Sequence, residues 1–162
     1  MRRKINLLRS LMRVLLSPFA ITMLDILVIV PLGIGLIEAL RELAAGHGYR
    51  EAAEIVYGLG VIMIGWGVAL EERHELREIF GVNSNDEEWQ AKIDQDCKST
   101  GLGSLIFGLF AEMCIEAIKL PDNVIYTKGF NEVLVVVAVI FMALTVLLLI
   151  RHVIILIPKF VR

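Results

Sequence analysis

The chain has 162 residues, 57% of them hydrophobic, and a mean hydropathy of +0.72. A soluble domain carries about 45–50% apolar residues; the excess here falls in long blocks, which excludes an ordinary soluble globule and points to an integral membrane protein. A net charge of −2 gives no field that would recruit nucleic acid, and the two cysteines, Cys97 and Cys114, form neither a CxxC motif nor a metal-ligand spacing.

Residues 2–16 place Ile5, Leu8, Leu11, Met12 and Leu15 on one helical face and Arg2, Arg9 and Arg13 on the other. A basic amphipathic helix of this kind lies in the headgroup plane and is drawn to anionic lipid. The first apolar block, 18–37, follows and is interrupted only by Asp25. Ser17 is the expected N-cap, with Pro18 at the first helical position, where its missing N–H costs nothing. Pro31, with Gly33 and Gly35, is expected to kink the outer half. The block is too long for a signal peptide and lacks a small-residue cleavage site before Glu38, Arg41 and Glu42, so a retained span is expected.

The second block covers 52–70. A charged stretch from Glu71 to Glu78 continues it to Gly81, and a capping box, Ser84 with Glu87, starts a further helix. Glu88–Lys92 and Asp94–Lys98 are spaced as i,i+4 ion pairs. Trp89, Ile93 and Cys97 form a narrow apolar stripe, most economically docked on the bundle itself. The third block, 102–120, is short and carries Glu112 and Glu116. The fourth, 132–150, is almost pure Val, Leu, Ile and Ala. About 20 residues cross a ~30 Å hydrocarbon core, so each block can span. The expected fold is an all-α, integral membrane four-helix bundle, a single domain over 1–162, with an N-terminal interfacial helix and a helical loop over 71–99.

Twelve of the sixteen Lys and Arg residues fall on the side of the N-terminal segment, the 71–99 loop and the C-terminal end; four fall opposite. The positive-inside rule puts the larger group in the cytoplasm, with both termini, in a cytoplasmic-type inner membrane.

Three intramembrane acids are the candidate ion- or proton-binding residues. By counting from the block centres, Asp25 and Glu112 lie near the midplane, and Glu116 sits one turn further out than Glu112. No base is expected at that depth, and a lone carboxylate there costs a few kcal/mol, so these acids should face the bundle interior. The third helix is therefore expected at the centre of the bundle, with the fourth taking most of the lipid contact. The structural alternative is a neutral carboxyl bonded to a hydroxyl such as Thr22 or Thr145. Glu71 and His74, at i,i+3, are weak metal candidates, because a carboxylate-bridged site needs a second such motif and more acids. Each span also holds one methionine, Met23, Met63, Met113 and Met142, in no paired motif.

Three functions follow from these readings. The first is a small cation- or proton-handling transport or channel-type protein, expected to be oligomeric. The second is a non-catalytic subunit or assembly factor of a larger membrane complex. The third, a membrane-bound metalloenzyme using the Glu71/His74 region, is the least supported. No cofactor is expected, and the expected partners are the bilayer, anionic headgroups at the N-terminal helix, and a second copy or partner subunit.

Overall fold

The computed structural model describes residues 10–45, 49–82, 87–121, 124–125, 127 and 129–157. A helical segment over 10–15 precedes five helices: α1 (Pro18–Ala45), α2 (Tyr49–Glu71), α3 (Arg73–Ile79), α4 (Glu87–Lys119) and α5 (Asn131–Leu156). No strand occurs among the described residues. Helices α1, α2, α4 and α5 are each long and apolar enough to cross a membrane. At 1.5 Å per residue they measure roughly 35–50 Å, more than the ~30 Å core, so their ends project from the apolar zone.

Local chemistry sets the boundaries. The Ser17 hydroxyl accepts the Ala20 N–H at 3.2 Å, capping α1 as its sequence predicts. The helix runs unbroken through Pro31. Helix α3 stops at Gly81, whose φ of 60° is accessible to glycine without a Cβ penalty. There the Val82 N–H donates to the Arg77 carbonyl at 2.9 Å and the Gly81 N–H to the Glu78 carbonyl at 3.0 Å. These two bonds make a Schellman cap and turn the chain back toward α4. The amphipathic segment 2–16 and the Ser84–Glu87 capping box lie largely outside the described residues; in the 10–15 helix, Leu11, Val14 and Leu15 are exposed.

Helix α4 differs from expectation. The charged loop helix and the third span are a single helix of 33 residues, continuous through Gly101 and Gly103. A helical glycine costs about 1 kcal/mol relative to alanine, but here Gly101 lets two backbones meet. A Cβ on Gly101 would lie 2.5 Å from the Gly67 carbonyl oxygen, and one on Gly67 would lie 2.6 Å from the Leu105 nitrogen. Ser104 on the same seam donates its hydroxyl to the Met63 carbonyl at 3.0 Å. Small residues with an interhelical hydrogen bond are the usual means of close helix packing in lipid, where apolar burial gives no driving force.

In the bundle α1 packs on α2 and α5, α4 packs on α2 and α5, and α2 also meets α5 across the centre. The expected burial order is reversed in one respect. The apolar window of α5 is 39% buried, against 28% for α4 and 22% for α1. Helix α5 touches all three other spans through Val135, Ala138, Met142, Thr145, Leu149 and His152, so α1, not α5, is the most peripheral. Leu27, Ile34, Leu147 and Ile154 are each more than 60% exposed. An apolar outer surface over apolar helices is the arrangement of a protein solvated by lipid.

Candidate functional site

Asp25 lies on the inward face of α1, fully buried. Trp66 of α2 donates its indole N–H to Oδ1 at 2.8 Å, and Nδ1 of His152, on α5, stands 2.8 Å from Oδ2. Three helices thus converge on one carboxyl. The hydroxyls of Thr22 and Thr145 do not join it, since each donates to the carbonyl four residues back in its own helix.

The pairing corrects the expectation that no base stands near Asp25. The fourth apolar block ends at residue 150, before Arg151, but α5 continues to Leu156. Arg151 is exposed and His152 beside it is buried, so the long arginine leaves the apolar surface while the imidazole turns inward. The available signal was the return of apolar residues from Val153 to Ile157. With the carboxylate ionised, Nδ1–H donates to Oδ2. Nε2 of His152 is buried and has no hydrogen-bond partner among the described residues. A neutral ring in that tautomer keeps a lone pair on Nε2, so the pair can bind a proton without losing the Asp25 contact.

Glu112 is elsewhere. It packs against Gly60 of α2, where an added Cβ would lie 2.6 Å from Oε1. That oxygen is buried without a partner among the described residues, although the residue as a whole is half-exposed on the α2–α4 seam. Gly60 and Trp66 are six residues apart on α2, so Asp25 and Glu112 differ in depth by about 9 Å. The equal depth expected for them assumed spans of 18–37 and 102–120. The real α1 extends eight residues beyond that range to Ala45, which leaves Asp25 in its first third.

Glu116 accepts from Lys119 at 3.0 Å in an exposed pair, and the same ammonium lies 3.1 Å from the Tyr57 ring centroid. Asp25, Glu112 and Glu116 therefore form no single site. They are spread along the bundle from the end bearing residues 10–17 toward the opposite end.

A second polar centre closes the Asp25 end. Asp94 of α4 is buried and receives guanidinium N–H donors from Arg73 and, at 2.6 Å, from Arg77. His74 Nδ1 stands 3.1 Å from the same carboxylate, and its Nε2 is 3.4 Å from Glu78. Arg73 also donates from Nε and Nη2 to the Leu16 carbonyl, at 3.2 and 2.8 Å, and from Nη2 to Gln90 at 3.3 Å. Burial pushes the Arg73 guanidinium below its ordinary pKa, and the neighbouring Asp94 charge works the other way. Asp94 therefore pairs with Arg73, Arg77 and His74, not with Lys98 as its spacing suggested, whereas Lys92 does meet Glu88 at 3.2 Å. The apolar stripe docks on the bundle: Ile93 and Cys97 are fully buried and Trp89 packs against the core.

Among the described residues no three His, Cys, Asp or Glu side chains converge as a metal group; His74 stands with Asp94 and Glu78, not with Glu71. Met63 and Met142 are buried, but Met23 and Met113 face outward, so the four thioethers share no site. No family model, curated protein or solved structure matches the chain.

Proposed function

We propose that this is a proton-handling membrane transport protein whose protonatable centre is the Asp25–His152 pair. The observation carrying this reading is a carboxylate and an imidazole 2.8 Å apart, both fully buried between helices that can span a bilayer. Ionisable side chains inside a membrane are costly, and ion pathways and proton relays are among the functions they mark. Both Asp25 oxygens are already engaged, by Trp66 and His152, which suits a proton better than a metal cation needing several oxygen ligands. Helix α2 and the α3 that follows it order the path: Arg73 of α3 meets Asp94, and on α2 Trp66 meets Asp25, Gly60 meets Glu112, and Tyr57 meets the Lys119 that pairs with Glu116. The step of about 9 Å along α2 between the Asp25 and Glu112 stations exceeds hydrogen-bond reach. The protein is accordingly read as a gated carrier of protons, not an open pore.

The arginine-rich end faces the cytoplasm in this reading, together with both termini, by the positive-inside bias. Glu112, half-exposed at mid-height, favours assembly with a second copy or a partner membrane subunit that covers the α2–α4 face. A second reading is a non-catalytic subunit in which Trp66, Asp25 and His152 only tie three helices together; it is favoured by the satisfaction of both carboxylate oxygens.

Proton flux in liposomes, driven by a potassium diffusion potential and read by an internal pH dye, separates the two. Asp25→Asn and His152→Gln should fold normally yet reduce flux to the level of protein-free vesicles. Asp25→Ala, which strips both partners of a buried acceptor, should in addition loosen the fold by about 1–3 kcal/mol. Wild-type flux in both conservative variants, or none in the wild-type protein, ends the proton reading and leaves the structural one.

A further inference from the structure

The Arg73–Asp94 centre opens onto a cleft of about 200 Å³ at the start of α1, lined by Arg13, Ser17, Pro18, Arg73, Arg77 and Gln90 among others. That is far more room than the ~15 Å³ a single water needs on the same measure. Three guanidinium groups border it, and the carboxylate among them, Asp94, already serves Arg73, Arg77 and His74. Among the described residues nothing pairs with Arg13. Arg77, which also lines the cleft, donates from Nη1 to Asp94 and from Nη2 to the Val82 carbonyl and retains N–H groups beyond these two bonds. The first turn of α1, with Ser17 and Pro18 on the cleft wall, adds the positive end of a 28-residue helix.

From this we infer that the cleft is a phosphate-oxyanion site, built by Arg13 and Arg77 over a floor fixed by Arg73. Guanidinium forks match phosphate oxygens in pairs, which a lysine cluster would not do as well. The buried Arg73 is held by the Leu16 carbonyl, Gln90 and Asp94, so it positions the wall and supplies charge, while Arg13 and Arg77 supply the contacts. The cleft adjoins exposed Leu11, Val14, Leu15 and Phe19, where acyl chains would lie beneath a bound headgroup. Either a lipid phosphodiester or free phosphate satisfies the same chemistry, and the flanking apolar residues favour the lipid. This proposal does not depend on proton transport.

The test uses the full chain in detergent, titrated with short-chain phosphatidylglycerol, short-chain phosphatidylcholine or inorganic phosphate, with binding read by native mass spectrometry and thermal shift. Phosphatidylglycerol should bind and stabilise, phosphatidylcholine should do neither, and Arg13→Gln should weaken phosphatidylglycerol about tenfold, the effect of one charge-assisted contact. Lys98→Gln makes the same charge change on an exposed residue outside the cleft and should leave binding unchanged. Arg77→Lys, which keeps the charge but loses the fork, should weaken binding while the protein stays folded. Stronger binding of inorganic phosphate than of the lipid would keep the oxyanion site and reassign its source. Equal losses in Arg13→Gln and Lys98→Gln, or no preference for the anionic lipid, would overturn the site in favour of diffuse surface charge.

Discussion

Replacing Gly67 by alanine puts a methyl group where two backbones already touch. The new carbon would lie 2.6 Å from the Leu105 nitrogen, 2.8 Å from the Gly101 oxygen and 3.0 Å from the Leu105 Cα. All three atoms are main chain, so no rotamer change relieves the contact, and α2 and α4 must separate by several tenths of an ångström. Overpacking of this kind costs about 1–3 kcal/mol. Separation also stretches the Ser104–Met63 bond, 3.0 Å at rest, a further loss of about 0.5–1.5 kcal/mol. Against this stands alanine's helix preference over glycine, about 1 kcal/mol. The net expectation is about 0.5–3.5 kcal/mol of destabilisation, measured by reversible unfolding of the full chain in mixed micelles of increasing denaturing-detergent fraction. Gly65→Ala on the same helix is the control: a Cβ there meets nothing within 4 Å, so it should be neutral or slightly stabilising. If Gly67→Ala unfolds no earlier than Gly65→Ala, the close approach of α2 and α4 is wrong.

Asp94→Ala should destabilise by about 3–5 kcal/mol in the same assay, because it leaves the buried Arg73 without its counter-charge; a loss below about 1 kcal/mol would mean that the arginine reaches solvent. Topology is checked with single cysteines in a Cys97→Ser, Cys114→Ser background, labelled in intact cells by an impermeant maleimide. Reaction at Glu42 and Asn123 with protection at Asn85 is expected, and the reverse pattern would place the arginine-rich end outside.

The sequence alone determined the elements whose signals are local. Four apolar blocks long enough to cross a bilayer core, the Ser17–Pro18 start of α1, the Gly81 stop and the Glu88–Lys92 pair are all read from contiguous stretches of chain, and each is found in the fold. The inward docking of Ile93 and Cys97 was legible for the same reason, since periodicity marks a buried face before its partner is known. Partners distant in sequence were not legible. Asp25 and His152 are 127 residues apart, and Arg73 finds Leu16 across 57. Nothing in either local stretch specifies which helix faces which, nor how far each helix extends beyond its apolar run. Small errors in those lengths put Asp25 and Glu112 at one depth, when the real helices offset them by about two turns. Tertiary packing decided the offset: glycines 67 and 101 set the register of α4 on α2, and the inward face of α5 brought an imidazole to the carboxylate. A buried charge is settled by the partner that reaches it, and only the assembled bundle determines that partner.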